Sequence, residues 1–239
     1  GKMDLKSIEQ NLRSMKGKFN FDPMEVEQKS EEWHFMRLGL VTASNFWKIL
    51  PLKSGKYGQT RATYMNELVS QIADQEAKPN VTAKQMEWGN MHEPLAREKY
   101  AMILGLTIHE FPFVFSHNAR AGLSPDGLTN EGLGFEIKCP WDSAHHTAFI
   151  RDAVIKNEYI HQVNSSMWMT QAEAWHFITY NPRCTVAGKD LFAHKFEPDH
   201  KLFGMYENEL GQFLYEMDKV LMETYGITFD HKYDKEFKS

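Results

Sequence analysis

A turn followed closely by a short apolar strand limits what this chain can become. Ser124-Pro125-Asp126-Gly127 is a strong turn signal. Gly134–Lys138 follows as a strand candidate, and its surroundings are apolar: Leu133, Phe135, Ile137 and Cys139. Strand side chains alternate between faces, so Glu136 and Lys138, two residues apart, project together. A hairpin between this strand and a candidate at Ala121–Leu123 brings Asp126 alongside them. Two carboxylates and an ammonium then converge on one spot.

The rest of the chain supplies both helices and strands. Residues 60–77 form a helix candidate, and Thr42 to Leu50 reads as a helix start with Thr42 or Ser44 as N-cap. Thr82 and Gln85 have capping-box spacing, opening a helix that runs to about Leu104 and stops at Gly105. Pro94 is expected to kink it. Thr107–Phe115 is rich in β formers. Helices are expected over Ser143–Asn157 and Tyr159–Ala172, and strands over Ala174–Tyr180 and Leu191–Phe196. Pro198–Tyr225 is a long amphipathic helix with Leu202, Tyr206, Leu210, Phe213, Met217, Leu221 and Tyr225 near one face, ended by Gly226. Residues 1–30 read as a peripheral N-terminal arm, and 31–239 as one domain. The expected class is α/β, a mixed central sheet flanked by helices.

Composition narrows the function. With 42% hydrophobic residues among 239, the chain can bury a real core, which excludes a wholly disordered or collagen-like protein. A net charge of −5 excludes a generally basic nucleic-acid coat but leaves room for a local basic groove. Two cysteines make neither a disulfide framework nor a four-cysteine zinc site, and they fit a reducing cytoplasm. No apolar run is long enough to cross a membrane. The opening Gly1-Lys2-Met3-Asp4 lacks an apolar signal core.

Carboxylate and carbonyl oxygens suit a hard cation such as Mg²⁺ or Mn²⁺. The carbonyl of Ile137 lies between the two charged side chains and can serve as a further ligand. Lys138 can position an attacking water, help to deprotonate it and stabilise developing charge. That is the equipment of phosphodiester hydrolysis. Elsewhere the signals stay open. Glu93 reads equally as a helix acid paired with Arg97 at i+4, Arg37 as a surface ion pair and Met86 as a core residue. His145, His146 and His161 lack zinc-site spacing and read as polar surface residues.

An ordered series of motifs resembles the lambda-exonuclease family, viral-type alkaline exonucleases with a restriction-endonuclease-like core. The series is Trp33-His34 with Arg37-Leu38-Gly39, Thr42-Ala43-Ser44, Trp88-Gly89 with Glu93 and Ala96-Arg97, and Ser124-Pro125-Asp126-Gly127-Leu128. It continues through Glu136-Ile137-Lys138-Cys139-Pro140, Gln162, Ser166-Met167-Trp168 and Tyr180-Asn181-Pro182-Arg183, covering about residues 30–185. The resemblance implies that Asp126 bridges two Mg²⁺ ions, that Glu136 and the Ile137 carbonyl complete one site, and that Glu93 ligates the other. Mn²⁺ is expected to substitute. Lys138 is implied to orient the water and Gln162 to support the site. Arg37 and Ser44 match a terminal 5′-phosphate pocket and Met86 an apolar wedge. Lys53 matches a basic minor-groove contact, with Lys56 and Arg61 as candidate backbone contacts. A tyrosine that the family often carries near the glutamine is not found at the expected place, where Ser165 stands.

The implied activity is 5′→3′ digestion of one strand of duplex DNA, releasing 5′-mononucleotides and leaving 3′ tails for annealing-type recombination. The resemblance also implies a homotrimeric ring around DNA, a single-strand annealing protein as partner, and a phage or prophage origin within a bacterial cytoplasm. Two other readings stand beside it. One is an endonuclease or RecB-type nuclease on the same core, the other a non-catalytic DNA-end-binding module.

Overall fold

Two small sheets meet at the segment that carries Asp126. The computed structural model describes residues 2–77, 82–152 and 156–235. One sheet has three short strands in the order β1 (Val41–Thr42), β3 (Ala121–Leu123), β2 (Val114–Ser116). The other is mixed and four-stranded, in the order β4 (Gly127–Leu128), β5 (Leu133–Lys138), β6 (Ala174–Tyr180), β7 (Leu191–Phe196). In it β5 and β6 are parallel, while β4 and β7 run antiparallel to their neighbours. The expected hairpin is therefore corrected. Ala121–Leu123 pairs in the first sheet, and β4, directly after Asp126, is the strand that turns back against β5. The apolar residues of 107–113 mostly pack as irregular chain; only His109 bridges to Leu128, and a strand begins at Val114.

Both sheets are tightly shielded. All seven residues of β6 are buried, as a strand covered on both faces requires. Gly134 lies opposite Trp175, where an added Cβ would sit 2.1 Å from the indole, so no larger residue fits. Helix α4 (Ala83–Leu104) covers one face: its Ala96 and Tyr100 cluster with Phe135, Ile137, Ile178 and Tyr180. Its start is capped by Thr82, and Gly105 ends it in the left-handed conformation. The helix runs on through Pro94. On the other face, α5 (Ser143–Asp152) sends Phe149 against Phe177, and α6 (Asn157–Thr170) does the same with Tyr159. Part of the helix expected over 143–157 falls on residues 153–155, outside the described residues.

Helix α7 (His200–Tyr225) buries Tyr206, Leu210, Phe213, Met217 and Leu221 at helical spacing. Tyr225, expected on that face, is exposed. The stretch after Thr42 is a 3₁₀ segment, Ala43–Ile49, set down on α6 and α7 by Phe46, which meets Trp168 and Tyr206 edge-on. Truncating so buried a ring to alanine costs about 3–5 kcal/mol, so this contact fixes where Ser44 and Lys48 stand. Helix α3 (Gln59–Asp74) packs beside it on α7, Tyr64 stacking on Phe213.

The polar N-terminal stretch, expected to be a peripheral arm, is built into the main core. Helix α1 (Leu5–Ser14), capped by Asp4, buries Leu5, Ile8 and Leu12. Phe19 follows and contacts Phe35, Phe115 and Tyr233. Phe35 belongs to α2 (Glu31–Arg37), which ends on Arg37. Lys232, in the closing 3₁₀ segment Phe229–Asp234, is fully buried and donates to the Met36 carbonyl at 2.9 Å.

Candidate active site

The register of β5 puts Glu136 opposite Phe177 and Lys138 opposite Thr179, both charged side chains on the face covered by α5 and α6. Lys138 Nζ lies 3.0 Å from Glu136 Oε1. Asp126 arrives from the neighbouring strand pair. Its amide donates to the Phe135 carbonyl at 3.0 Å, and its Oδ2 accepts from the Ile137 amide at 2.7 Å. A side-chain oxygen thus takes the place of a backbone rung, which locks the carboxylate to β5. Glu93 reaches the same spot from α4, within hydrogen-bonding reach of Asp126. The structure brings together all three acids singled out in the sequence.

Their electrostatics follow from that crowding. Burial, then Glu136 and Glu93, push the Asp126 carboxyl well above the ordinary carboxylate range. For Lys138, burial alone would lower the amine. Glu136 overrides it, helped by Tyr159 and Asp126, and holds the ammonium above the ordinary lysine range. Lys138 therefore enters as a hydrogen-bond donor and a positive charge, not as a ready proton acceptor.

Among the described residues, no three His, Cys, Asp or Glu side chains are grouped in a ligating arrangement as they stand. Glu136 is turned to Lys138, and Glu93 is held by Arg97 at 3.0 Å. The donor set nevertheless fits a hard divalent cation. Asp126 feels the carboxylates of both Glu136 and Glu93, burial and then these two neighbours drive it toward its protonated form, and a cation beside it relieves that repulsion.

A cavity of about 450 Å³ is lined by Arg37, His34, Lys48, Ser44, Met86 and Glu67, and the Glu136 carboxylate of the acid cluster acts electrostatically on its Arg37. The Arg37 guanidinium lies 3.9 Å from the Trp33 ring, and its Nε has no hydrogen-bond partner. Burial lowers it to about 10, with Tyr64 and Glu136 acting the other way. It remains a charged group at neutral pH. His34 is lowered by burial and by Arg37. Ser44 is exposed, its hydroxyl 3.3 Å from that of Thr42. Met86 is half-buried against this cavity and is no part of the apolar core.

Other expectations divide. Lys53 and Lys56 stand exposed on the turn after Leu52. Arg61 is corrected: it is buried, bonded to Glu216 at 3.3 and 2.5 Å and laid on Tyr57 at 3.8 Å, so it offers no free cation to a phosphate. Gln162 is buried on α6. No tyrosine stands at position 165, but one lies three residues before Gln162. Tyr159 shares that helix face, and Lys138 Nζ lies 4.9 Å from its ring. His146 is not a surface residue; it is buried between Thr179 and the Lys189 carbonyl, while His161 bonds Tyr206.

Three cations went unassigned in the sequence. Lys48 lines the cavity. Arg97 bonds Glu93 and the Asp126 carbonyl. Arg183 grips the carbonyls of Pro140 and Trp141, just beyond Lys138, at 2.7 and 2.6 Å. The motif context of Arg97 and Arg183, and the pairing of Arg97 with Glu93, are local signals, but both also bond backbone carbonyls distant in the chain.

A restriction-endonuclease-like core with buried acids and a lysine on one strand defines a nuclease. The family model for the YqaJ-like viral recombinase domain matches residues 32–173, more than half of the chain, and the chain belongs to that family. Its resemblance to alkaline exonuclease LHK-Exo from Laribacter hongkongensis is 31% identity over 81% of this chain and 95% of that one, with a TM-score of 0.72. The structure of LHK-Exo in complex with dAMP matches at 30% identity and the same TM-score. A phage-related exonuclease from Haemophilus somnus 129PT shares the fold at 16% identity, covering 77% of this chain and 96% of that one, with a TM-score of 0.66. A putative uncharacterized protein ExoD of Escherichia coli K12 is 33% identical over 79 residues, a third of this chain and 87% of that protein. The chain is thus an enzyme of a nuclease family that acts on DNA and uses a divalent metal. Among the described residues no helix is long and apolar enough to cross a membrane.

Proposed function

We propose that this chain is a Mg²⁺-dependent 5′→3′ exonuclease on duplex DNA, releasing 5′-mononucleotides and leaving 3′ single-stranded tails. The observation that carries the reading is the junction of two unlike sites. Arg37, a half-buried cation at the cavity wall with its Nε closed off and no ion-pair partner among the described residues, feels Glu136 of the acid cluster. A terminal phosphate held there by the Arg37 fork, with Ser44 beside it, lies next to the acids that would act on the following phosphodiester. Only a strand ending in a 5′-phosphate fills both places, which supplies polarity.

Asp126, Glu136, the Ile137 carbonyl and Glu93 would hold two Mg²⁺ ions, and Mn²⁺ suits the same oxygens. Bound there, the metals supply positive charge at the attacked phosphate and lower the pKa of water. Lys138 orients the nucleophilic water and stabilises charge on the phosphate oxygens. Gln162 supports the site from α6, the helix whose Tyr159 borders Lys138. Met86 pries the terminal base pair apart, and Lys53 and Lys56 touch the duplex. The 31–239 region acts as one nuclease domain. A homotrimeric ring would retain a protein of net charge −5 on DNA where electrostatics alone would not. The tail would be taken by a single-strand annealing protein, in the bacterial cytoplasm of a phage or prophage host. Release of mononucleotides accords with a relative solved with dAMP.

An end-labelled duplex with 5′-phosphate or 5′-hydroxyl ends, and a closed circle, test the reading together. Expected is Mg²⁺-dependent release from the phosphorylated linear duplex, slower release from the hydroxyl end and survival of the circle. Lys138→Ala should reduce release by about 10²–10³-fold while sparing end binding. Cutting of the circle would make it an endonuclease, and end binding without release a binding module.

A further inference from the structure

We propose that Arg97 is a positioning residue of the metal site, tying Glu93 to the backbone of Asp126 and standing between them as a positive charge. The proposal rests on the reading of Glu93 and Asp126 as ligands.

One guanidinium joins three stretches of chain. Its Nε donates to the Asp126 carbonyl at 2.7 Å, Nη2 donates to Glu93 Oε2 at 3.0 Å, and Nη1 lies 3.2 Å from Glu110 Oε1. A helix acid paired with an arginine at i+4 is ordinarily a surface contact of little energy. Two facts separate this one. The Arg97 side chain is only 11% exposed, and its shortest bond goes to the backbone of the residue at the centre of the acid cluster. The planar fork makes this possible; a lysine ammonium at the same place cannot span acceptors on three sides.

The three acceptors differ in what a metal would do to them. Glu93 would share its oxygens with an ion. The Asp126 carbonyl and Glu110, which is 72% exposed, would not. Arg97 therefore keeps two bonds whether or not Glu93 is engaged, and Asp126 keeps its backbone position throughout. Glu110 also shares the guanidinium's charge with Glu93. Without it, more of the positive charge would fall on Glu93 and compete with the metal.

Calorimetric titration of the full chain with Mn²⁺, beside thermal melting, tests this with Arg97→Lys and Glu110→Gln. Partners that orient ligands typically contribute 10–100-fold to metal affinity, so Arg97→Lys is expected to weaken one Mn²⁺ step about 10-fold at unchanged charge. The Mg²⁺ concentration for half-maximal nucleotide release should rise in parallel, with melting little changed. Glu110→Gln alters an exposed side chain and should weaken the same step about 2-fold. If Arg97→Lys does not fold, the Glu110→Gln titration decides: weaker Mn²⁺ binding supports the proposal and unchanged binding overturns it. Wild-type affinity in both variants overturns this proposal and leaves the ligand reading standing. A wild-type chain that takes up no Mn²⁺ overturns both.

Discussion

Arg37 and Arg61 are close to a controlled comparison. Each lies on an aromatic ring, at 3.9 Å from Trp33 and 3.8 Å from Tyr57; Arg61 is buried, and Arg37 is half-buried at the cavity wall. The sequence offered both as phosphate contacts. They differ above all in partner: Arg61 has Glu216, bonded through both terminal nitrogens, while Arg37 has no carboxylate at ion-pair distance among the described residues. A buried cation that the protein neutralises is architecture. One left without an anion keeps its desolvation cost outstanding, and an anionic ligand can offset it.

The comparison breaks first on substrate ends. Arg37→Gln is expected to lower the rate on 5′-phosphorylated duplex by about 10–100-fold, the worth of charge-assisted hydrogen bonds, with little change on 5′-hydroxyl ends. Arg61→Gln should leave that preference intact. Equal losses on both ends for Arg37→Gln would remove its distinction. Stability should show the mirror image. Arg61→Gln strands Glu216, about a third exposed, and should cost roughly 1–3 kcal/mol, lowering Tm by several degrees in calorimetry. Arg37→Gln should leave Tm unchanged or raise it.

Lys232 sharpens the point as a fully buried cation, bonded among the described residues only to the Met36 carbonyl and ringed by Phe19, Phe229 and Tyr233. Burial lowers its amine from 10.5 to about 7. Between those values the unfolded chain binds the proton and the folded chain does not, so this group makes stability rise with pH. Its penalty is complete below about pH 7 and gone above about 10.5. The Tm of the wild-type chain should gain on that of Lys232→Met across that window, by the equivalent of about 1–3 kcal/mol. Parallel curves would show that the amine is charged or neutral throughout. The smallest effect belongs to Lys53. Lys53→Ala should slow digestion less than about 3-fold and reduce the salt slope by about one.

The acid cluster was legible because a strand has a period of two: once Leu133–Lys138 is a strand, Glu136 and Lys138 must share a face. Strands β6 and β7 and the α4 stop at Gly105 were read from equally local signals. What escaped was settled by distant residues. Leu5, Ile8 and Leu12 show helical spacing, but only Phe19 and the aromatic residues around it make the N-terminal stretch part of the core. The partner of Arg61 is 155 residues away, and that of His146 is 33. Local pattern cannot tell such a charge from a solvated one. Tyr159 lies at i−3 from Gln162, on the same side of the helix, and only the fold sets it against Lys138.

Asp126 stands at the crossing between the two sheets, reached from β3 through Ser124 and Pro125 and latched by its own oxygen to β5. Any twist of one layer against the other is therefore delivered to a single carboxylate, and with it to the spacing of the acids. A loosening substitution far away in either layer has a direct mechanical route to these acids.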